Sequence, residues 1–246
     1  DYEIRLPIYY ILESTEIKRN YSSLSFMLIK SMRIINNIKK ILIDFLFPQV
    51  KPTELSVDKI IEELKKPTDL DDPDIIVLSD YKQTLAKKLI WELKYKNNEH
   101  SAKILAEIMY TEIIGYLNDW IMFEDFKDPV LIPVPLSKEK LEKRGYNQTE
   151  TLVEQIILLD QGKNLGFEFD AIHKVKDTPE QSSLKTKVQR LKNLKNCFKV
   201  VNPEKIKNKN IIIVDDVITT GATIKEVKKI LKKAGARKIK AICVAH

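Results

Sequence analysis

The sequence predicts an α/β protein in which a mostly parallel sheet is flanked by helices. Three observations carry this. From Ile75 onward, short β-branched runs alternate with longer amphipathic stretches, the order of a parallel sheet with helical crossovers. The runs Pro129–Val134 and Asn210–Asp215 are nearly continuously apolar, which fits strands buried on both faces. Each is followed by a polar or small-residue turn and then a helical pattern.

In chain order, Tyr9–Ile11 reads as a short strand and Ser22–Phe47 as one or two helices. Leu55–Lys66 has helical spacing through Val57, Ile60, Ile61 and Leu64. Thr68–Pro73 is an acidic, proline-bounded linker. The expected domain boundary falls there, with a mostly helical extension or hood over 1–73 and the α/β domain over 74–246. Ile75–Leu78 is a strand, Thr84–Tyr95 and Ser101–Trp120 are helices, and Pro129–Val134 is a strand. Thr149–Leu159 is a helix, Phe167–Val175 a strand, and Thr186–Asn196 loop or helix. Asn210–Asp215, Ala222–Ala234 and Lys238–Val244 give strand, helix, strand, the helix stopping at Ala234-Gly235.

Composition narrows the class. The chain has 246 residues, 43% of them hydrophobic, enough for a sizeable core. No stretch reaches the ~18–20 apolar residues of a membrane span. Ile34–Phe47 is broken by Asn36, Asn37, Lys39, Lys40 and Asp44. Cys197 and Cys243 stand far apart with no metal-ligand spacing, so they read as core residues of a protein from a reducing cytoplasm. The net charge of +7 is uneven. Residues 1–130 hold 18 Lys+Arg against 22 Asp+Glu, and residues 131–246 hold 24 against 13. The basic half would attract a polyphosphate. Solvated lysines and a nucleic-acid partner are alternative readings of the same charge.

Three constellations carry chemistry. In Ile211–Thr223, Asp215 and Asp216 close an apolar strand, and Thr219, Thr220, Gly221, Ala222 and Thr223 follow. Two carboxylates suit the vicinal hydroxyls of a ribose or hydrated Mg²⁺. The loop offers hydroxyls, backbone N–H groups, a glycine that permits close approach, and a helix N-terminus that favours an anion. The second constellation is the Pro133-Val134-Pro135-Leu136 run followed by Arg144, Gly145, Tyr146, Asn147 and Gln148. Arg144 supplies a planar fork for phosphate oxygens; an N-cap at Asn147 is the plainer reading. The third is the basic stretch 174–199, with eight Lys+Arg and two Asp+Glu. Pro179, Ser182 and Ser183 argue for a mobile loop that closes as a lid; a solvated basic connection is the alternative reading.

The Ile211–Thr223 run resembles the signature of type I phosphoribosyltransferases, which bind 5-phosphoribosyl-1-pyrophosphate (PRPP). With Arg144-Gly145-Tyr146-Asn147-Gln148, Thr178-Pro179-x-Gln181-x-x-Leu184, Arg190, Asn193 and Phe198, the chain is similar to the ComF family of phosphoribosyltransferase-like proteins over roughly residues 75–246. Tyr81, Leu89, Leu93, Lys94 and Tyr95 match that family's helical entry segment. Many ComF-like proteins carry an N-terminal zinc ribbon. Here Leu46-Phe47-Pro48 resembles its lead-in, but no cysteines follow, and 49–73 reads as a metal-free replacement. Lys174 and Lys176 stand where the family often has arginines.

The resemblance implies a type I phosphoribosyltransferase fold with an N-terminal hood. Asp215 and Asp216 would hold the ribose and, indirectly, Mg²⁺. Thr219–Thr223 would cradle the 5-phosphate. Arg144, Gly145, Tyr146, Asn147 and Lys176 would hold pyrophosphate, and Thr178, Gln181, Ser182 and Arg190 would belong to a flexible lid. The implied reaction is Mg-dependent transfer of phosphoribosyl to a nitrogen acceptor with release of pyrophosphate. The acceptor is expected at residues ~1–75 or after Val244. A homodimer is the assembly the resemblance allows. Two other functions stay open: a PRPP or nucleotide sensor without turnover, and a competence-linked, DNA-associated protein.

Overall fold

The computed structural model describes residues 57–67, 72–176, 194 and 196–246, all within the compact unit Lys51–His246. The strand read at Tyr9–Ile11, the helices read over Ser22–Phe47, and the lid residues Thr178, Gln181, Ser182 and Arg190 lie outside the described residues. In chain order the elements are α1 (Val57–Glu63), β1 (Ile75–Ser79), α2 (Thr84–Lys96), α3 (Glu99–Glu124), β2 (Val130–Pro133), α4 (Lys138–Arg144) and α5 (Gln148–Asp160). Then follow β3 (Gly166–Phe167), β4 (Ile172–Lys174), β5 (Phe198–Val200), β6 (Ile211–Val217), α6 (Ala222–Lys233) and β7 (Ile239–Ala245).

The main sheet has the order β1-β7-β6-β2-β3 and every pairing in it is parallel. Its two longest strands, β6 and β7, carry the longest buried apolar runs. Ile211, Ile212, Ile213 and Val214 are fully buried, as are Ala241, Ile242, Cys243, Val244 and Ala245. Burying each Ile or Val contributes roughly 1.5–3 kcal/mol. Lys240 interrupts the apolar run of β7, and its ammonium is neutralised by Asp74 at 2.8 Å and Glu124 at 2.7 Å while lying over the Trp120 ring. Residues 57–67, read from sequence as part of the N-terminal extension, pack onto this domain. Ile60 is fully buried, Lys66 pairs with Glu112 at 2.7 Å, and the Gln83 side-chain amide donates to Lys65 O and accepts from Lys65 N.

Three expectations need correction. The central strand does not close at the aspartates: β6 continues to Val217, because Val217 still pairs with Ala245. The strand read over Phe167–Val175 is two strands in different sheets. Gly166–Phe167 extends the main sheet beside β2, whereas Ile172–Lys174 pairs antiparallel with Phe198–Val200. A parallel bridge from Ser137 to Lys174 ties that hairpin to the segment after β2. The polar segment before Gly145 is the short helix α4, ended by Gly145 at φ 83°, a left-handed position that glycine takes without strain.

The connectivity places a crevice. From β2 the chain crosses by α5 to β3 on one side, and from β6 it crosses by α6 to β7 on the other, although β2 and β6 are neighbours. The segments leaving their carboxyl ends therefore diverge, and ligands of open α/β sheets sit at such a switch point. Tyr81 N donates to His246 O just past β7, while Lys94 reaches Asp216 at the end of β6. Helix α2 thus lies across the carboxyl edge of the sheet and walls the crevice.

Candidate active site

A cleft of about 610 Å³ opens at this switch point, within the ~300–1,000 Å³ range of small-molecule sites. Its floor is the end of β6. The pairing Pro133↔Val214 is the last of β2 with β6, so Asp215 and Asp216 outrun β2 on that side while β7 still flanks them on the other. Both are buried. Asp215 Oδ1 accepts from the Asp216 amide at 2.9 Å. Burial, then the adjacent charge of Asp216, pushes the Asp215 carboxyl up to about 8; the Asp216 amide, Lys94 and Lys174 oppose the rise. Asp215 therefore keeps its proton near neutral pH in the free protein.

Asp216 Oδ2 accepts from Lys94 Nζ at 3.0 Å and from Gln148 Nε2 at 2.8 Å. Gln148 Oε1 accepts in turn from Arg144 Nη1, whose guanidinium lies 5.5 Å from the Tyr95 ring centroid. These contacts link α2, α4, α5 and β6 around one carboxylate. Burial, the largest single influence on the Lys94 ammonium, lowers its pKa, but the charge and hydrogen bond of Asp216 outweigh it and the net shift is upward. Lys94 is cationic throughout the physiological range.

Beyond Val217 the chain turns into α6. Gly221 precedes the helix at φ 69°, and a Cβ there would find room, the nearest atom being Ile218 Cδ1 at 3.8 Å. The glycine is needed for its backbone conformation, which L side chains rarely adopt. Thr219 and Thr223 line the cleft. Thr220 is not among the residues that line the cleft; its hydroxyl is buried with no hydrogen-bond partner, a state that costs about 1–3 kcal/mol. Ala222 is buried at the start of α6 and packs into the core.

The second predicted set is divided. Arg144 lines the cleft, whereas Gly145, Tyr146, Asn147 and Lys176 do not. Tyr146 Oη donates to Leu93 O at 2.8 Å and accepts from Asn97 N at 3.1 Å, pinning α2. Asn147 caps α5 by accepting from Thr149 N, and its amide donates to Glu150 at 2.8 Å. From the basic stretch it is Lys174, on β4, that faces the cleft, beside Phe198.

Sequence reading assigned no site role to Lys94, Tyr81, Trp91 or Tyr95, all of which line the cleft, and it had Gln148, which also lines it, as a neutral donor of the second constellation. The entry-segment resemblance set Lys94 and Tyr95 in a helix. No periodicity says that this helix crosses the sheet edge and not its face.

A model of the phosphoribosyl transferase domain matches residues 141–246. "Competence protein F" of Haemophilus influenzae is 32% identical over 167 residues, which cover 67% of this chain and 69% of that protein. The chain belongs to the ComF family of phosphoribosyltransferase-like proteins. Two further ComF relatives are the "DNA utilization protein YhgH" of Escherichia coli O157:H7 and "Competence protein ComFC" of Streptococcus pneumoniae. The first is 28% identical, covering 70% of this chain and 71% of that protein. The second is 35% identical, covering 47% of each. Of the cleft, the domain model takes in the Arg144 corner, the acidic pair and the turn into α6; the ComF chain builds its facing wall, α2, outside that stretch. Among the described residues, no helix is long and apolar enough to cross a membrane.

Proposed function

We propose that the cleft binds PRPP and transfers its 5-phosphoribosyl group to a nitrogen acceptor, releasing pyrophosphate. The carrying observation is the contiguity, in one cleft, of two buried carboxylates with Thr219 and Thr223 on either side of the Gly221 turn that opens a 12-residue helix. A diol site and a phosphate site a few residues apart match one end of a ribose 5-phosphate. The backbone amides of the turn and the positive end of α6 favour the phosphate. Asp215 and Asp216 orient the ribose hydroxyls, and the Asp216 carboxylate offsets the positive charge that develops on the ring as the C1–O bond breaks. Arg144 and Lys174, on the same cleft, are the cations to receive the departing pyrophosphate, which takes the bonding pair, while the acceptor nitrogen forms the new bond to C1 and gives up its proton to water.

Mg²⁺ fits this donor set as an ion that arrives on the ligand. Two carboxylates plus substrate phosphates are its usual company, and no group of three or more acidic, His or Cys side chains suited to a metal occurs among the described residues. When bound, Mg²⁺ supplies charge neutralisation for the leaving pyrophosphate. The aromatic wall of Tyr81, Trp91 and Tyr95 supports a planar acceptor that stacks. The reading is tested by calorimetric titration with PRPP and Mg²⁺, then by pyrophosphate release with a panel of nucleobases and amines. Binding by the unaltered protein that is lost in Asp215→Asn/Asp216→Asn is expected. Undiminished binding by that variant overturns the site. Binding without pyrophosphate release turns the reading to a PRPP sensor.

A second reading, a DNA-associated protein, is favoured by the relatives' names and by a lysine-lined groove. Lys225, Lys228, Lys232 and Lys238 border a recess of about 410 Å³ that also includes Asp74, Glu124 and Ile239, the first residue of β7, and Lys228 is paired there with Asp74 at 3.7 Å. Salt-dependent binding of single-stranded DNA that survives loss of Asp215 and Asp216 but not loss of these lysines would favour it.

A further inference from the structure

We infer that Lys94 is a built-in counter-cation that keeps the Asp215–Asp216 pair closed to a divalent ion until the phosphates of a ligand draw it away. This rests on the reading of the pair as the ribose and magnesium end of the cleft. The ammonium lies 3.0 Å from Asp216 Oδ2, and Gln148 Nε2 occupies the same oxygen at 2.8 Å. That oxygen has its donors already. A divalent ion ligated there would have to displace the ammonium or sit within a few ångströms of it, where like charges in a partly desolvated site repel strongly. The strap is not a surface contact. The Lys94 side chain is 21% exposed and that of Asp216 6%, so solvent does little to loosen it.

The anchoring of Lys94 makes the arrangement directional. Tyr146 Oη donates to Leu93 O, one residue before Lys94, and fixes this turn of α2 against the segment after α4. The ammonium is therefore held over the acidic pair by backbone placement and not only by its own ion pair. Arg144 waits in the same cleft, bonded to Gln148 and stacked near Tyr95. An incoming pyrophosphate offers both cations a better anion. Lys94 and Arg144 then turn toward the phosphates, Asp216 Oδ2 is released, and metal and ligand enter together.

The test measures Mn²⁺ binding by electron paramagnetic resonance on the full chain without ligand. The unaltered protein is expected to bind Mn²⁺ weakly. Lys94→Met is expected to bind it at least ~10-fold more tightly, the scale of removing one adjacent positive charge. Adding Asp216→Asn to that variant abolishes the gain, and Lys94→Arg behaves as the unaltered protein does. Lys94→Gln, which keeps a donor for Asp216 Oδ2 but drops the charge, serves the same comparison where the methionine variant unfolds. Unchanged Mn²⁺ affinity in folded Lys94→Met, or tight Mn²⁺ binding by the unaltered protein, overturns the inference. In a separate arm, PRPP added to the unaltered protein is expected to raise Mn²⁺ uptake. Failure of that arm alone, with the Lys94→Met gain intact, removes PRPP as the ligand and leaves the role of Lys94 standing.

Discussion

Asp215→Asn separates what the acidic pair does for a ligand from what it does to the fold. Burial first, and Asp216 second, lift the Asp215 carboxyl from 3.8 to about 8. Between those values the folded protein holds one more proton than the unfolded chain, so stability falls as pH rises, by about 1.4 kcal/mol per pH unit. The contribution is fully present below 3.8 and gone once pH has passed about 8. From about pH 5 to about pH 8 the loss is ~4 kcal/mol as an upper bound. Asparagine does not titrate, and its buried amide costs roughly 1–3 kcal/mol where its N–H groups find no partner. The variant should fall below the unaltered protein by roughly 1–3 kcal/mol near pH 5, where Asp215 is protonated and only the amide cost remains, and exceed it by roughly 1–3 kcal/mol near pH 8, several degrees in Tm for a chain of this size. Thermal unfolding of both proteins across this range reads the difference in slope. Parallel slopes would refute the assignment of a raised pKa to this residue. PRPP binding should weaken in the same variant, so that near pH 8 one substitution improves the fold and impairs the site.

Thr220→Val removes the unpartnered hydroxyl; the free protein should be unchanged or ~1 kcal/mol more stable by chemical denaturation. Arg144→Lys keeps the charge but loses the fork and the contact with Tyr95, and the dissociation constant of PRPP should rise roughly 5–10-fold with stability unaltered. Ile213→Ala opens a cavity at a fully buried position of β6 and should cost about 2–5 kcal/mol in urea unfolding. Lys240→Met takes the ammonium from Glu124 and leaves Asp74 with Lys228 at 3.7 Å, and both carboxylates are partly exposed, 37% and 45%. The expected cost is therefore ~1–3 kcal/mol, below that of a fully buried pair, with ligand binding unaffected.

Sequence pattern located the strands best where both faces are buried. The four consecutive apolar residues Ile211–Val214 left no alternative to a central strand, and the small-residue turn after them placed α6. It did worst where an element depends on a distant partner. Phe167 and Ile172 look like one strand, yet the first pairs with Leu131 and the second with Val200, a choice made by tertiary contacts and not by local preference. Within the site, Asp215, Asp216, Thr219, Thr223 and Arg144 were legible from their types and order. Tyr146 and Asn147 carried the right chemistry for a phosphate but are spent on α2 and on the cap of α5. Lys94 was illegible as a site residue, because only the crossing of α2 over the sheet edge brings it to Asp216.

The pairing of β1 with β7 has a consequence for how the chain acquires its structure. Ile75 is registered with Ala241, so at ribosomal rates the first strand of the sheet waits on the order of ten seconds for its neighbour to be made. Helices α2 and α3 can form and pack during that interval, since their contacts are local. The strand itself cannot, and Ile75–Ser79 stays an unpaired apolar edge, the kind that templates aggregation. Because β7 inserts between β1 and β6 and does not add at the margin, a chain cut before Ile239 would lose two sheet pairings at once. The sheet is therefore completed late, when β7 supplies the partner that both β1 and β6 lack until then.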